Sequence, residues 1–311
     1  MEKHNIFSHV PVLLDECIDG LNIKPDGIYV DGTLGGAGHS SVIASKIRNG
    51  RLIGIDKDDD ALTSSKERLK KYNFVTFVKS DFKNYKNILS ELGVDKVDGI
   101  LLDLGVSSYQ IDTAERGFSF KHNGPLDMRM DKTQSFSAYD VVNGYSESEL
   151  AKIIYEYGEE KFARPIARNI VKERSVSPIE TTEKLNEIVE HTIPRKLWGS
   201  GASRKTFQAI RIEVNGELAG LESVIRDMIE SLKSGGRLCI ITFHSLEDRI
   251  VKNVFKEYST DCICDKSLPT CVCGHKATVK LINKKPILAS ETELENNSRS
   301  SCAKLRIIEK L

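Results

Sequence analysis

The stretch Val30-Asp31-Gly32-Thr33-Leu34-Gly35-Gly36-Ala37-Gly38-His39 decides how this chain reads. A short apolar run, Ile28 to Val30, leads into it, and a helical apolar pattern (Val42, Ile43, Ile47) leaves it. Strand, glycine-rich turn and helix in that order open a nucleotide-binding α/β unit. Glycine lets the backbone turn sharply and approach a ligand closely. The next strand, Arg51-Leu-Ile-Gly-Ile-Asp56, ends on a carboxylate, which at that place can accept hydrogen bonds from both hydroxyls of a ribose. The two segments together predict a cofactor that carries an adenosine. An ordinary tight turn would use the same glycines, so other features must choose.

Charge chooses among adenosine cofactors. The dinucleotide fingerprint G-x-G-x-x-G fails, because Gly36 and Gly38 are followed by Ser41. No G-x-x-x-x-G-K-[ST] phosphate cradle occurs either. Asp31 sits at the strand end, where it would repel a pyrophosphate and suit a cation. S-adenosylmethionine (SAM) has a sulfonium, an ammonium and no phosphate, so it is expected in preference to NAD.

The rest of the chain bounds the class. Its 311 residues, 40% of them hydrophobic, suffice for one large domain or for one domain carrying an insertion. No apolar run reaches the roughly 18 residues of a membrane span, and Met1-Glu-Lys-His-Asn5 lacks a signal-peptide core. A cytoplasmic protein without membrane contact is expected. Seven cysteines, an odd number, fit reduced thiols better than a disulfide framework. Lys+Arg and Asp+Glu are both 45, which argues against a general polyanion binder. The distribution is uneven, with eleven Lys/Arg against five Glu from Lys161 to Arg211. That stretch could meet phosphates or could be a solvated helical surface.

Strand signals recur at Ile28–Asp31, Leu52–Asp56, Val75–Val78, Gly99–Leu104 and Arg237–Phe243, with helical patterns at Ser40–Ile47, Asp59–Lys71 and Tyr85–Leu92. The alternation predicts a parallel sheet with helices on both faces, that is, a Rossmann-like α/β fold. Thr278–Ile282 and Ala303–Ile308 read as two further strands. Between Tyr109 and Asn215 the rhythm breaks into loop chemistry and helical segments (Ser146–Tyr157, Phe162–Arg174, Thr182–Thr192). The expected organisation is a core of residues 1–108 and 216–311 with a mainly helical insertion, 109–215. Glu217–Leu232 reads as the helix that resumes the core, Gly235-Gly236 as the turn after it, and the acidic stretch Glu291, Glu293, Glu295 as a surface loop.

The fourth strand ends in Leu101-Leu-Asp103-Leu-Gly-Val-Ser-Ser108. Ligands of open α/β sheets bind beyond the carboxyl ends of the strands, so Asp31, Asp56 and Asp103 should face one crevice. Any one of them could be a turn former or helix cap; three on one rim are harder to explain that way.

At this point a family resemblance enters. His9-Val-Pro-Val-Leu-Leu-Asp-Glu16, the glycine stretch, Leu101–Ser108, Glu115-Arg-Gly-Phe-Ser-Phe120, Gly124-Pro-Leu-Asp-Met-Arg-Met130 and Phe243-His-Ser-Leu-Glu-Asp-Arg249 stand in order over nearly the whole length. The chain resembles the MraW family of ribosomal RNA small subunit methyltransferases, which modify a cytidine at N(4). The resemblance implies a class I SAM-dependent methyltransferase fold with a helical insertion, acting on 16S rRNA in the decoding region with the assembled 30S subunit as partner. It implies SAM contacts at Ala37, Gly38, His39, Asp56, Phe82, Asp103 and Gln110. Tyr109 stands where many relatives have proline, while Gln110 remains in place.

The residue types suit that chemistry. The exocyclic amine of cytosine is a poor nucleophile, since its lone pair is delocalised into the ring. Holding it in line with a sulfonium methyl supplies much of the barrier reduction. Hydrogen-bond acceptors on the amine help restore its lone pair; Asp103, the expected catalytic residue, and carbonyls of the Leu104–Ser107 turn are the candidates. Carbon-5 methylation would need a cysteine nucleophile, commonly after proline, and the chain has no Pro-Cys dipeptide. Cys17 and Cys239 lie in apolar patterns and read as core. Phe118 and Phe120 could stack on a base or anchor their loop. Arg116 and Arg129 could meet phosphate or pair with nearby acids. Arg164, Arg168, Arg195, Lys196, Arg204 and Lys205 form the candidate rRNA face. His244 beside Ser245 does not make a hydrolase without a G-x-S-x-G elbow. Cys262-x-Cys264 and Cys271-x-Cys273, with His275, match zinc donors, but their spacing departs from the commoner C-x-x-C, and no metal is counted among the site groups. A small-molecule methyltransferase and a non-catalytic assembly factor are the competing functions. Oligomeric state, a homodimer included, is not legible.

Overall fold

The computed structural model describes residues 11–198, 201–262, 264–265, 270 and 272–311. The chain divides into two compact units, one of residues 1–105 and 218–311 and the other of residues 106–217.

The first unit is built on a seven-stranded sheet: β1 (Ile28–Asp31), β2 (Arg51–Asp56), β3 (Val75–Lys79), β4 (Val97–Asp103), β5 (Leu232–Thr242), β6 (Val279–Leu281) and β7 (Lys304–Lys310). Their order across the sheet is β3-β2-β1-β4-β5-β7-β6. β1 to β5 are mutually parallel, and β7 runs antiparallel to both β5 and β6. The order reverses between β1 and β4, and such a switch point opens a crevice at the carboxyl ends of the strands. Side chains alternate between two cores. Leu101, Cys239, Ile241, Leu305 and Ile307 pack on one face with Cys17, Ile18, Ile43 and Leu62 from the helices there. Ile100, Leu102, Leu238, Ile240 and Ile308 pack on the other with Ile88, Val224, Met228 and Phe255. Burial on both faces explains why these strands read as continuous apolar runs.

The second unit is helical. Its helices are Ser108–Asp112, Ala138–Gly144, Glu147–Glu156, Ala163–Arg174, Thr182–Thr192 and Ala202–Asn215. They enclose a separate core that includes Met128, Val141, Leu150, Ile154, Ile166, Leu185, Val189 and Ile210. Ser146 and Glu149 form a reciprocal capping box at the start of Glu147–Glu156, which is why that boundary is sharp in sequence.

Three expectations change. The pair Gly235-Gly236 is not a turn before the strand. β5 already begins at Leu232, and the pair lies at an irregularity where its pairing with β4 jumps from Val97 to Gly99. Gly235 takes φ of 76°, a conformation that costs glycine little. The acidic stretch is a short helix, Glu291–Asn296, capped by Ser290; Glu293 accepts a bond from the backbone N–H of Leu13. The helix of the core before β5 runs Leu221–Ser231. Cys17 and Cys239 are fully buried, as their patterns implied. No helix among the described residues is long and apolar enough to cross a membrane.

Candidate active site

The glycine loop is tied to three strand ends. Asp31 closes β1 and turns its carboxylate back on the loop: Oδ1 accepts the Thr33 N–H at 3.1 Å and Oδ2 the Ser40 hydroxyl at 2.6 Å. Asp56 closes β2 and accepts the N–H of Gly35 at 2.7 Å and of Asp58 at 2.9 Å. The N–H of Asp103, at the end of β4, donates to the Thr33 hydroxyl at 2.6 Å, while the Gly32 N–H donates to the Leu101 carbonyl at 2.9 Å. The loop is therefore preorganised by its neighbours before any ligand arrives. Helix Gly38–Lys46 starts from Ala37 at φ of 57°, with no side-chain cap. The positive end of a helix suits an anionic group such as a carboxylate.

The three acids have different duties. Asp31 is buried and spends both oxygens on the loop, so it contributes its charge more than its hydrogen bonds. Burial raises its pKa to about 6, opposed by the bonds from Ser40 and Thr33. Burial also raises Asp56, against the bonds from Asp58 and Gly35. Asp103 is the least satisfied. Its Oδ1 is enclosed and has no hydrogen-bond partner among the described residues. Its Oδ2 lies 3.7 Å from Nδ1 of His39, and the side chain as a whole is 27% exposed. Burial of the carboxyl raises its pKa to about 8, and the charges of Asp31 and Glu247 push the same way. A group raised by enclosure and like charge is one that a bound cation would relieve.

Glu247 is the member of this set that strand-end reasoning does not find. It lies on the helix Ser245–Tyr258 that follows β5, is buried, and accepts the Phe243 N–H at 2.9 Å. His244 is the N-cap of that helix, its Nδ1 facing the Glu247 N–H at 3.4 Å and its Nε2 lying 3.1 Å from Glu247 Oε1. The spacing His-x-x-Glu before an apolar helical pattern is the sequence signal for such a cap. His39 is buried, and its Nε2 lies 3.0 Å from the Val12 carbonyl, which turns Nδ1 toward Asp103. Phe82, just past β3, packs partly buried against the sheet core.

The second unit uses several candidates internally. Gln110 is buried, and its Oε1 accepts the Ser107 N–H at 3.0 Å in a capping box. Arg116 is buried and donates to the carbonyls of Arg129 and Met130. Arg129 forms a two-pronged pair with Asp127, at 2.9 and 2.6 Å. Phe118 is core, and Phe120 packs edge-on against Phe207 with ring centres 5.5 Å apart. These four residues hold a loop in shape. Arg164, Arg168, Arg195, Lys196 and Arg204 are exposed, whereas Lys205 is half-buried and lies 3.5 Å from Glu160.

Comparison with known proteins gives this geometry its context. The pattern of the MraW methylase family matches residues 6–311. The chain belongs to the MraW methylase family. It is 55% identical over 309 residues to ribosomal RNA small subunit methyltransferase H of Clostridioides difficile strain 630, covering 98% of this chain and 99% of that one. It is 56% identical over 307 residues to the protein of that name from Clostridium botulinum strain Loch Maree, covering 98% and 99%. An rRNA methylase structure from Streptococcus thermophilus aligns with a TM-score of 0.42 at 10% identity, over 98% of this chain and 99% of that one. This MraW methylase is thus a Rossmann-like, SAM-dependent methyltransferase.

Proposed function

We propose that this methylase transfers a methyl group to N(4) of a cytidine in the decoding region of 16S rRNA, with the assembled small subunit in the cytoplasm as its substrate. The observation that carries this reading is Asp103: an enclosed carboxylate oxygen without a hydrogen-bond partner among the described residues, at the sheet's carboxyl edge, beside the loop. The residues fit SAM. The amides at the start of helix Gly38–Lys46 suit the amino acid's carboxylate, and Asp31 and Asp103 supply negative charge to its cationic groups. Asp56 keeps lone pairs for the ribose hydroxyls, and Phe82 offers an apolar wall. Ala37, Gly38, His39 and Gln110 complete the proposed set. When bound, SAM supplies an electrophilic methyl on a sulfonium.

The chain's own contribution is positioning and proton handling. The Asp103 carboxylate accepts a hydrogen bond from the N(4) amine, which returns lone-pair density to nitrogen. As the new N–C bond forms, nitrogen becomes acidic and its proton passes to that carboxylate, whose raised pKa suits an acceptor near neutrality. No cysteine nucleophile is needed. Burial raises the thiols of Cys17 and Cys239, which disfavours the thiolates a carbon-5 route would require. The second unit is the proposed rRNA-recognition domain, with Arg164, Arg168, Arg195, Lys196 and Arg204 toward the phosphates.

The test uses isotopically labelled SAM with 30S subunits that lack the modification, naked 16S rRNA alongside, and nucleoside mass spectrometry. Labelled N(4)-methylcytidine on the 30S alone is expected. A label on carbon 5, or on a free metabolite only, overturns the reading. SAM binding without any labelled nucleoside would point to an assembly role.

A further inference from the structure

Residues 259–278 join the helix Ser245–Tyr258 to β6. None of the described residues among them is buried, and Val272 is 75% exposed. A connection this long whose described residues bury no apolar side chain needs another source of order. Its base is anchored: the Thr278 N–H donates to the Tyr258 carbonyl at 2.9 Å, and the His275 ring nitrogen Nε2 lies 3.0 Å from the Glu257 carbonyl. Those contacts leave the body of the loop unexplained.

The cysteines supply what is missing. The Sγ atoms of Cys262, Cys264 and Cys273 all lie within 4.8 Å of one another, and those of Cys262 and Cys273 are 3.9 Å apart. Thiolates about 2.3 Å from a tetrahedral zinc ion place their sulfurs roughly 3.8 Å from each other. Backbone N–H groups also point at the sulfurs, from Val272 to Cys264 and from His275 to Cys273, each at 3.4 Å. His275 does not join the sulfur group; it contributes an anchor and an amide rather than a ligand. Cys271 lies outside the described residues, but in sequence it precedes Cys273 as Cys262 precedes Cys264.

The place of the loop separates it from the chemistry. Val279 pairs with Lys310, and the neighbouring Glu309 pairs with Arg237, which faces Gly99 near the start of β4. The loop therefore enters the sheet at the amino ends of the parallel strands, opposite the carboxyl ends that carry Asp31, Asp56 and Asp103. A thiolate site there is structural rather than catalytic. Soft thiolates and the lack of any redox task select zinc.

We propose that the loop from Ser259 to Thr278 is clipped by zinc, with Cys262, Cys264 and Cys273 as thiolate ligands. Binding exchanges the thiol protons for Zn²⁺, so each ligand releases one proton to solvent.

Elemental analysis of the full chain, expressed with zinc and purified under reducing conditions, tests this. About one zinc per chain is expected. It should be lost in Cys264→Ser and Cys273→Ser and kept in Cys302→Ser, an exposed thiol outside the loop. Chelation should open the exposed Lys276 to trypsin while SAM binding persists. Folded, SAM-binding protein with less than about 0.1 zinc per chain overturns the proposal. So does zinc retained in both loop variants, or iron in its place.

Discussion

Three neighbours set the protonation of Asp103: the interior around it, Asp31 and Glu247. A carboxyl near 8 in the folded chain and about 3.9 in the unfolded one keeps, between those values, a proton that the unfolded chain has lost. The folded state binds more protons there, so stability falls as pH rises through that window. Asp31, at about 6, acts in the same sense. Acids held low by cations, such as Asp98 beside Lys233 and Asp248 beside Arg306, act below the usual carboxylate range and do not blur the effect. The melting temperature of the ligand-free protein should therefore decline from about pH 6 to pH 8, and the decline should flatten in Asp103→Asn. An equal slope in the variant would remove Asp103 from the account. SAM brings positive charge and favours the carboxylate, so its binding should release a proton below about pH 8. Calorimetry in buffers of different ionisation enthalpy reads that release at pH 7, and it should shrink in Asp103→Asn. The same substitution should lower kcat on 30S subunits at saturating SAM by about 10²–10³-fold. Full turnover would show that the amine needs no acceptor there.

At the scale of elements, helix Gly38–Lys46 offers a clean conflict between local preference and packing. Intrinsic propensity says that Gly38→Ala should stabilise a helix by about 1 kcal/mol. A Cβ at Gly38 would stand 2.4 Å from Cγ of Pro11, a ring that cannot rotate away. Overpacking of that kind costs about 1–3 kcal/mol. The variant should melt lower and bind SAM more weakly, as measured by thermal unfolding and a SAM titration; a higher melting temperature would mean the Pro11 segment yields. Pro11 against Gly38 is also an example of what sequence conceals. Strands β1, β2 and β4 were legible because both faces are buried and their apolar runs stop at an aspartate. The helices Ala202–Asn215 and Ser245–Tyr258 do not stand out so readily. The first starts from Gly201 at φ of 93° with no side-chain cap. The second hides its start behind a histidine cap directly after a strand, although Ile250, Val251, Val254, Phe255 and Tyr258 keep helical spacing. Within the site, the strand-end acids were legible from position alone. The commitment of Asp31 to Ser40, of Gln110 to Ser107 and of Arg116 to two carbonyls was not, since hydrogen-bond partners are decided by the folded chain.

At the scale of the whole molecule, balanced net charge conceals a division of labour. The acids that suit a cationic cofactor lie in the first unit and the uneven basic stretch in the second. Each unit has its own apolar core, so surface charge on one can change without unpacking the other. Arg164, Arg168, Arg195, Lys196 and Arg204 are exposed, and the Arg195 guanidinium rests over the half-exposed Trp198 ring at 5.5 Å. Each phosphate that such a side chain neutralises adds roughly 0.7–0.9 to the slope of log affinity against log salt. Reversing all five charges should therefore weaken 30S binding, flatten that slope by several units and leave SAM affinity and the melting temperature close to wild type. Binding measured from low to physiological salt reads both quantities at once. An unchanged slope would mean that phosphate contact is made by another surface; a lost SAM affinity would mean that the substitutions had damaged the fold, and single reversals would then separate the two effects.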